Sequence, residues 1–166
     1  MEEGIGEECG IAAIYLKNAA PSQFVPHTLI AAGFALQHRG QRSAGITVYN
    51  PVSKGQPTRN VFSTYKDMGL VSEVFKTRGR EYSDLISRLE GIAGIFHTRY
   101  ATSGSDDYAT AIREAQPIVR EHPRPFKHFS LVLNGNLPDY IPLRDAMESK
   151  GYKFNTDVDT ELIVCI

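Results

Sequence analysis

The chain has 166 residues, a length that suits one domain, and its 42% apolar and 22% charged residues are enough to bury a core and exclude wholesale disorder. With 18 basic against 19 acidic residues the net charge is −1, which gives no electrostatic footing for a nucleic-acid surface but leaves anionic small substrates open. The two cysteines, Cys9 and Cys165, form no CxxC pair, so a zinc ribbon or a thioredoxin-like motif is excluded.

The opening "MEEGIGEECG" is acidic, with neither a basic n-region nor an apolar h-region, and does not read as a signal peptide. No apolar run is long enough to span a membrane. A reducing cytoplasm with free thiols is the expectation. "CGIAAIYL" (9–16) is short, apolar and β-branched, and predicts a buried strand. After Pro26, the spacing of Leu29, Ile30, Gly33, Phe34 and Leu36 predicts a helix stopped near Gly40. "AGITVYN" (44–50) predicts a strand that runs into a turn-rich segment, and "VFSTY" (61–65) its hairpin partner. "EYSDLISRL" (81–89) predicts a helix with Tyr82, Leu85, Ile86 and Leu89 on one face.

"GIAGIFHTRY" (91–100) and "FSLVLNGN" (129–136) predict two further strands, each ending in polar groups. Between them, residues 103–128 hold few consecutive apolar residues and three prolines, and read as a long loop. "DYIPLRDAMESKG" predicts a helix capped by Asp139, with Pro142 in its first turn and Gly151 as its stop. "DTELIVCI" starts as a helix does. Helices mixed with hairpin-like strands imply an antiparallel α+β fold rather than a doubly wound parallel sheet. No phosphate-loop or dinucleotide fingerprint occurs.

The polar residues gather at element ends: "EECG" at Cys9, "HRGQ" at 38–41, "HTRYATSG" at 97–104, "NGN" at 134–136 and "DVDTE" at 157–161. Each has a plain reading by itself. Cys9 can be an inert thiol, Arg39 and Arg99 surface ion pairs, "NGN" a tight turn and Asp159 a helix N-cap. His38 and His97 lack a carboxylate or thiol at ligand spacing and read as supporting hydrogen bonders, not as metal ligands. Brought together along one sheet edge, the same residues supply a thiol, a guanidinium, amide donors and a carboxylate.

In that order, "CGIAAI", "LQHRGQRSAGI", "HTRYAT", "NGNL" and "DTE" resemble the class II glutamine amidotransferases, which are N-terminal nucleophile hydrolases. The wording "LQHRGQ", and a Cys9 that follows Glu7–Glu8 rather than Met, resemble most the glutaminase domain of the amidophosphoribosyltransferase subfamily; "MGLVSEVF" and "AQPIV" are similar to it as well. The resemblance implies an αββα sandwich of antiparallel sheets, incomplete at the C-terminus. It implies a prosegment, residues 1–8, removed by self-processing, and a type 2 amidotransferase domain over 9–166. Cys9 would be the nucleophile and Asn134 with Gly135 the oxyanion donors. Arg99, Thr102 and Asp159 would bind glutamine, with Arg39 and Tyr100 in support. The implied reaction releases ammonia from L-glutamine for transfer to phosphoribosyl pyrophosphate in purine nucleotide synthesis. It needs a phosphoribosyltransferase domain or subunit, and the full-length family implies a homo-oligomer. No metal or cofactor is expected in this domain, since magnesium and any iron–sulfur cluster belong to the synthase part. A non-catalytic remnant that binds glutamine or a partner, and another self-processing amidohydrolase, stay open as alternatives.

Overall fold

The structure, a computed structural model, describes residues 9–51, 61–100, 107–121, 127–135, 137–154 and 156–165. Strand β1 is Gly10–Tyr15, followed by helix α1 (Phe24–Leu36) and a 3-10 turn (Gln37–Arg39). Strands β2 (Ser43–Tyr49) and β3 (Phe62–Met68) come next, then helices α2 (Val71–Val74) and α3 (Arg80–Arg88) and strand β4 (Ala93–Arg99). Helix α4 (Tyr108–Glu114), strands β5 (Ile118–Arg120) and β6 (Phe129–Leu131), and helices α5 (Tyr140–Glu148) and α6 (Asp159–Cys165) complete the order.

The first sheet has four strands in the order β1-β4-β2-β3, every described pairing antiparallel, and β5 pairs antiparallel with β6 in a second sheet. The hairpin expected between 44–50 and 61–65 forms as β2 and β3. β4 inserts between β1 and β2, a non-local pairing that places the latest of the four strands in the sheet interior.

Strand periodicity gives the first sheet two different faces. One carries Phe96, Ala44, Ile46 and Val48 and packs against Val25, Leu29 and Ile30 of α1, Val71 and Val74 of α2, and Leu85 and Ile86 of α3. Burial of each such large side chain contributes roughly 1.5–3 kcal/mol, so this layer carries most of the apolar stabilisation. α3 forms where its stripe predicts it, one residue earlier at each end. In α1 the stripe is Val25, Leu29, Ile30 and Gly33, whereas Phe34 is 46% exposed, and the helix begins ahead of Pro26. Proline is compatible with a first turn, whose N–H groups have no intrahelical partner.

The opposite face carries Ile11, His97, Gly45 and Lys66 in one register row, and Ala13, Ile95, Thr47 and Thr64 in the next. The segment at Gln116–Pro117 lies directly over Gly45: a Cβ built there would be 2.2 Å from the Gln116 carbonyl oxygen. β5 and β6 continue from that segment, and α6 packs on their far side, where Leu162 and Met147 of α5 form a second small core. The layering is therefore helices, sheet, sheet, helices.

Three expectations are corrected. The loop read over 103–128 contains α4 and β5. α4 is exposed along much of its length and is capped by Asp107, whose Oδ2 accepts from the Thr110 N–H at 2.8 Å. β6 ends at Leu131, short of the strand expected to reach residue 136. Asp139 precedes α5 in a left-handed conformation (φ 55°) with no side-chain cap hydrogen bond, so it turns the chain into the helix through its backbone.

Candidate active site

Antiparallel pairing decides which strand ends meet. β1 and β2 begin where β4 ends: Gly10 pairs with Thr98, and Ser43 with Arg99. The β1–β4 register ends at Gly10 and Thr98, which adjoin Cys9 and Arg99 in the chain. The Gly10 N–H donates to the buried Thr98 Oγ1 at 3.2 Å, which fixes the backbone immediately after Cys9. Cys9 is a free, half-buried thiol.

Arg39 reaches this corner from the turn after α1. Its Nε donates to the Cys9 carbonyl at 3.3 Å. That turn is held by Gln37, whose Nε2 donates to the Gly40 carbonyl and whose Oε1 accepts from the Val71 N–H at 2.6 Å. The Arg42 N–H donates to the Arg99 carbonyl at 3.0 Å and closes the same corner from β2. His38 is exposed, and its side chain makes no hydrogen bond among the described residues, unlike the supporting role expected of it.

Arg99 is mostly buried, its side chain 20% exposed, and lies under the end of α4. Its Nη1 donates to the Glu114 carbonyl at 3.4 Å and stands 4.0 Å from the Glu114 carboxylate. Tyr100, half-buried, follows directly on β4. Thr102 and residues 1–8 lie outside the described residues.

His97 joins the two sheets. It is fully buried, and its Nε2 lies 3.3 Å from the Leu133 carbonyl. Burial lowers its pKa to about 4, the Arg99 guanidinium adding to the effect and the Leu133 carbonyl opposing it. The ring is thus neutral at pH 7, with the proton on Nε2, where it can donate to that carbonyl. This bond holds the residue before Asn134 against β4. Asn134 and Gly135 are both exposed, and Gly135 has φ 155°, a conformation that side chains disfavour. Asp159, the first residue of α6, does not cap its own helix. Its Oδ2 accepts from the Leu137 N–H at 2.6 Å, which brings the carboxylate to the far side of the Asn134 turn.

Hydrogen bonds thus reach each sequence cluster or its chain neighbours: Arg39 bonds the Cys9 carbonyl, Gly10 after Cys9 bonds Thr98 before Arg99, His97 bonds Leu133 before Asn134, and Asp159 bonds Leu137. The sequence reading passed over Glu114 and Gln116. Both lie in the segment that reads as a loop, and the signal for Gln116 is the stretch "AQPIV" (115–119), which resembles the family but carries no role by itself. Among the described residues, no group of three His, Cys, Asp or Glu is placed to hold a metal ion, and no helix is long and apolar enough to cross a membrane.

Residues 97–166 match a family described as a glutamine amidotransferase domain. Over 157 residues the chain is 36% identical to the amidophosphoribosyltransferase of Synechococcus elongatus, covering 95% of this chain and 27% of that protein. It is 38% identical to the amidophosphoribosyltransferase of Pyrococcus horikoshii, covering 95% of this chain and 28% of that protein. A solved structure described as the allosteric regulatory enzyme of purine biosynthesis superposes with a TM-score of 0.66 at 28% identity, over 93% of this chain and 28% of that one. The antiparallel sheets and their helix layers match the N-terminal nucleophile hydrolase fold of that protein. The chain spans between a quarter and a third of the length of these relatives.

Proposed function

We propose that this chain, which belongs with the glutamine amidotransferase domains of amidophosphoribosyltransferases, hydrolyses the side-chain amide of glutamine. The ammonia released would serve a phosphoribosyl pyrophosphate site on a synthase portion, in purine nucleotide synthesis. The observation that supports this reading is the meeting of the β1 start with the β4 end: Gly10, next to Cys9, pairs with Thr98, next to Arg99, while His97 bonds the Leu133 carbonyl before Asn134 and Asp159 accepts from Leu137.

In this proposal, cleavage before Cys9 frees its α-amine. An α-amine with a pKa near ~7.7–8 is partly neutral at physiological pH and can take the proton of its own thiol, directly or through water. No cysteine–histidine pair is then required, and the imidazole of His97 stays with the Leu133 carbonyl. The thiolate attacks the amide carbon, and the negative charge that develops on the amide oxygen is met by the Asn134 side-chain amide and the Gly135 N–H. One such donor is worth about 10²–10³ in rate. The α-amine's proton passes to the departing nitrogen, ammonia leaves, and water resolves the thioester. Arg99 holds the substrate carboxylate, for which a planar guanidinium suits, and Asp159 holds the α-ammonium. Thr102 is proposed to close over the substrate, with Tyr100 beside Arg99. The steps use only these groups, so the proposed domain carries no cofactor of its own. A reducing, cytoplasmic setting keeps the thiol free.

Intact-mass measurement of the purified full chain, together with an assay of ammonia release from glutamine, tests the reading. A mature N-terminus at Cys9, and loss of both processing and ammonia release in Cys9→Ala, are expected. Undiminished ammonia release by Cys9→Ala would overturn it. Unprocessed wild-type protein without glutaminase activity would favour a glutamine- or partner-binding remnant instead.

A further inference from the structure

Gln116 belongs to none of the residues given a role above, yet its side chain touches both halves of the site. It is 9% exposed. Its Oε1 accepts from the Leu133 N–H at 2.5 Å, and its Nε2 donates to Thr160 Oγ1 at 3.3 Å. Leu133 immediately precedes Asn134 and Gly135, and Thr160 immediately follows Asp159. One carboxamide therefore spans the turn proposed to hold the oxyanion and the helix start proposed to hold the substrate ammonium.

Gln116 is itself tightly placed. Its backbone carbonyl lies against Gly45, where no Cβ fits. On either side, Lys66 Nζ donates to the carbonyls of Arg113, Ala115 and Pro117, at 3.2 Å for the first and 3.3 Å for the last. The segment is thus anchored to β3 by one ammonium at alternate residues. The Leu133 peptide is held on both sides, its N–H by Gln116 and its carbonyl by His97. A glutamine that only filled space would need no such directed pair of bonds. Its donor and its acceptor are each used once, one on the first turn of α6 and the other on the residue before Asn134.

We infer that Gln116 is a positioning residue: its carboxamide sets the Asn134–Gly135 donors at the distance from Asp159 that lets one glutamine reach both. The inference rests on the glutaminase reading. It concerns the distance between the reacting amide and the α-ammonium, a span only a free amino acid presents to the site. Misplacement by about 1 Å at a reacting centre can cost on the order of 100-fold in rate.

The test compares two alkylating agents on the full, processed chain. A γ-diazoketone analogue of glutamine needs the amino-acid subsites as well as the thiol. Iodoacetamide needs only the thiol. Wild-type protein, Gln116→Met, Gln116→Glu and Thr160→Val are compared by the rate of Cys9 labelling, read by mass spectrometry. Methionine keeps the length and removes both polar atoms, whereas glutamate keeps an acceptor for Leu133 and can take a bond from the Thr160 hydroxyl. Gln116→Met is expected to slow the analogue by roughly 10- to 100-fold while iodoacetamide stays within about 2-fold, with Gln116→Glu recovering part of the loss. Thr160→Val, which leaves Gln116 in place, is expected to slow the analogue to a smaller extent and keeps the inference testable if Gln116→Met does not fold. An analogue rate unchanged in the variants, or analogue and iodoacetamide rates falling together, overturns the inference and leaves the glutaminase reading standing. Wild-type protein labelled by iodoacetamide but not by the analogue overturns both.

Discussion

At the residue scale, His97 shows what burial does to an ionisable group beside the proposed site. His97 is neutral because the low-dielectric space between the sheets disfavours imidazolium, and its pKa falls from 6.5 to about 4. A base whose pKa is lowered on folding binds fewer protons folded than unfolded between those two values. Stability is therefore fully present above pH 6.5 and declines as the pH falls towards 4, by about 3 kcal/mol at the limit. Urea midpoints at pH 7.5 and 4.5 should differ by more in the wild type than in His97→Asn, which can still donate to Leu133 but does not titrate; equal differences would remove His97 as the cause. Arg99 makes a second prediction. Arg99→Lys retains the charge and loses the planar fork, so the KM for glutamine should rise about 10-fold or more with a smaller change in kcat. An unchanged KM would remove Arg99 from the carboxylate subsite.

At the scale of elements, the stretch from α4 to β5 determines how the second sheet sits on the first. Its stability is tertiary: α4 is short, and its connection to β5 is held by Lys66 and by its fit over Gly45. A short helix has little stability of its own in water. Gly45→Ala would push a methyl group into the Gln116 carbonyl and is expected to cost about 1–3 kcal/mol. Lys66→Met removes the ammonium while keeping much of the aliphatic stem, and should loosen the same segment. Both changes should lower the melting temperature and increase amide hydrogen exchange at residues 113–120 more than in β1. Uniform exchange changes across the chain would show that the segment is not held in this way.

For the whole molecule, the two sheets differ in size and in what supports them. The four-stranded sheet has a three-helix layer over one face, whereas the second has three-residue strands, β5 and β6, backed by α5 and α6. An apolar cavity of about 540 Å³ lies between the sheets at the end away from Cys9, lined by Ala13, Tyr49, Phe62, Ile95 and Phe129. With fewer apolar contacts holding it, the smaller layer should open first. The proposed site straddles both layers: Cys9 and Arg99 belong to the first, Asn134 and Asp159 to the second. In a urea titration, the reaction of Cys9 with the glutamine analogue should fall at lower denaturant than the loss of β-sheet circular dichroism. Coincident curves would mean that the two layers unfold as one unit.

The sequence alone determined the local elements whose pattern carries its own stabilisation. The apolar runs at β1, β2 and β4, the α3 stripe of Leu85, Ile86 and Leu89, and the ordered polar motifs were legible because periodicity and side-chain chemistry are written residue by residue. That ordered set also resembles the family to which the matched domain and the relatives are similar. Tertiary structure decided the rest. α4 lacked an apolar stripe strong enough to predict it, and it forms where Asp107 caps it and Lys66 holds the chain that follows. Asp139 turns the chain by a left-handed backbone instead of by a side-chain cap. The insertion of β4 between β1 and β2 is a pairing between residues 88 apart at Gly10 and Thr98, the chain neighbours of Cys9 and Arg99. No local pattern specifies such a pairing, because it is fixed by which buried faces and strand ends fit together once the chain has collapsed. The same holds for Gln116, whose two partners lie 17 and 44 residues away and meet only across the assembled layers.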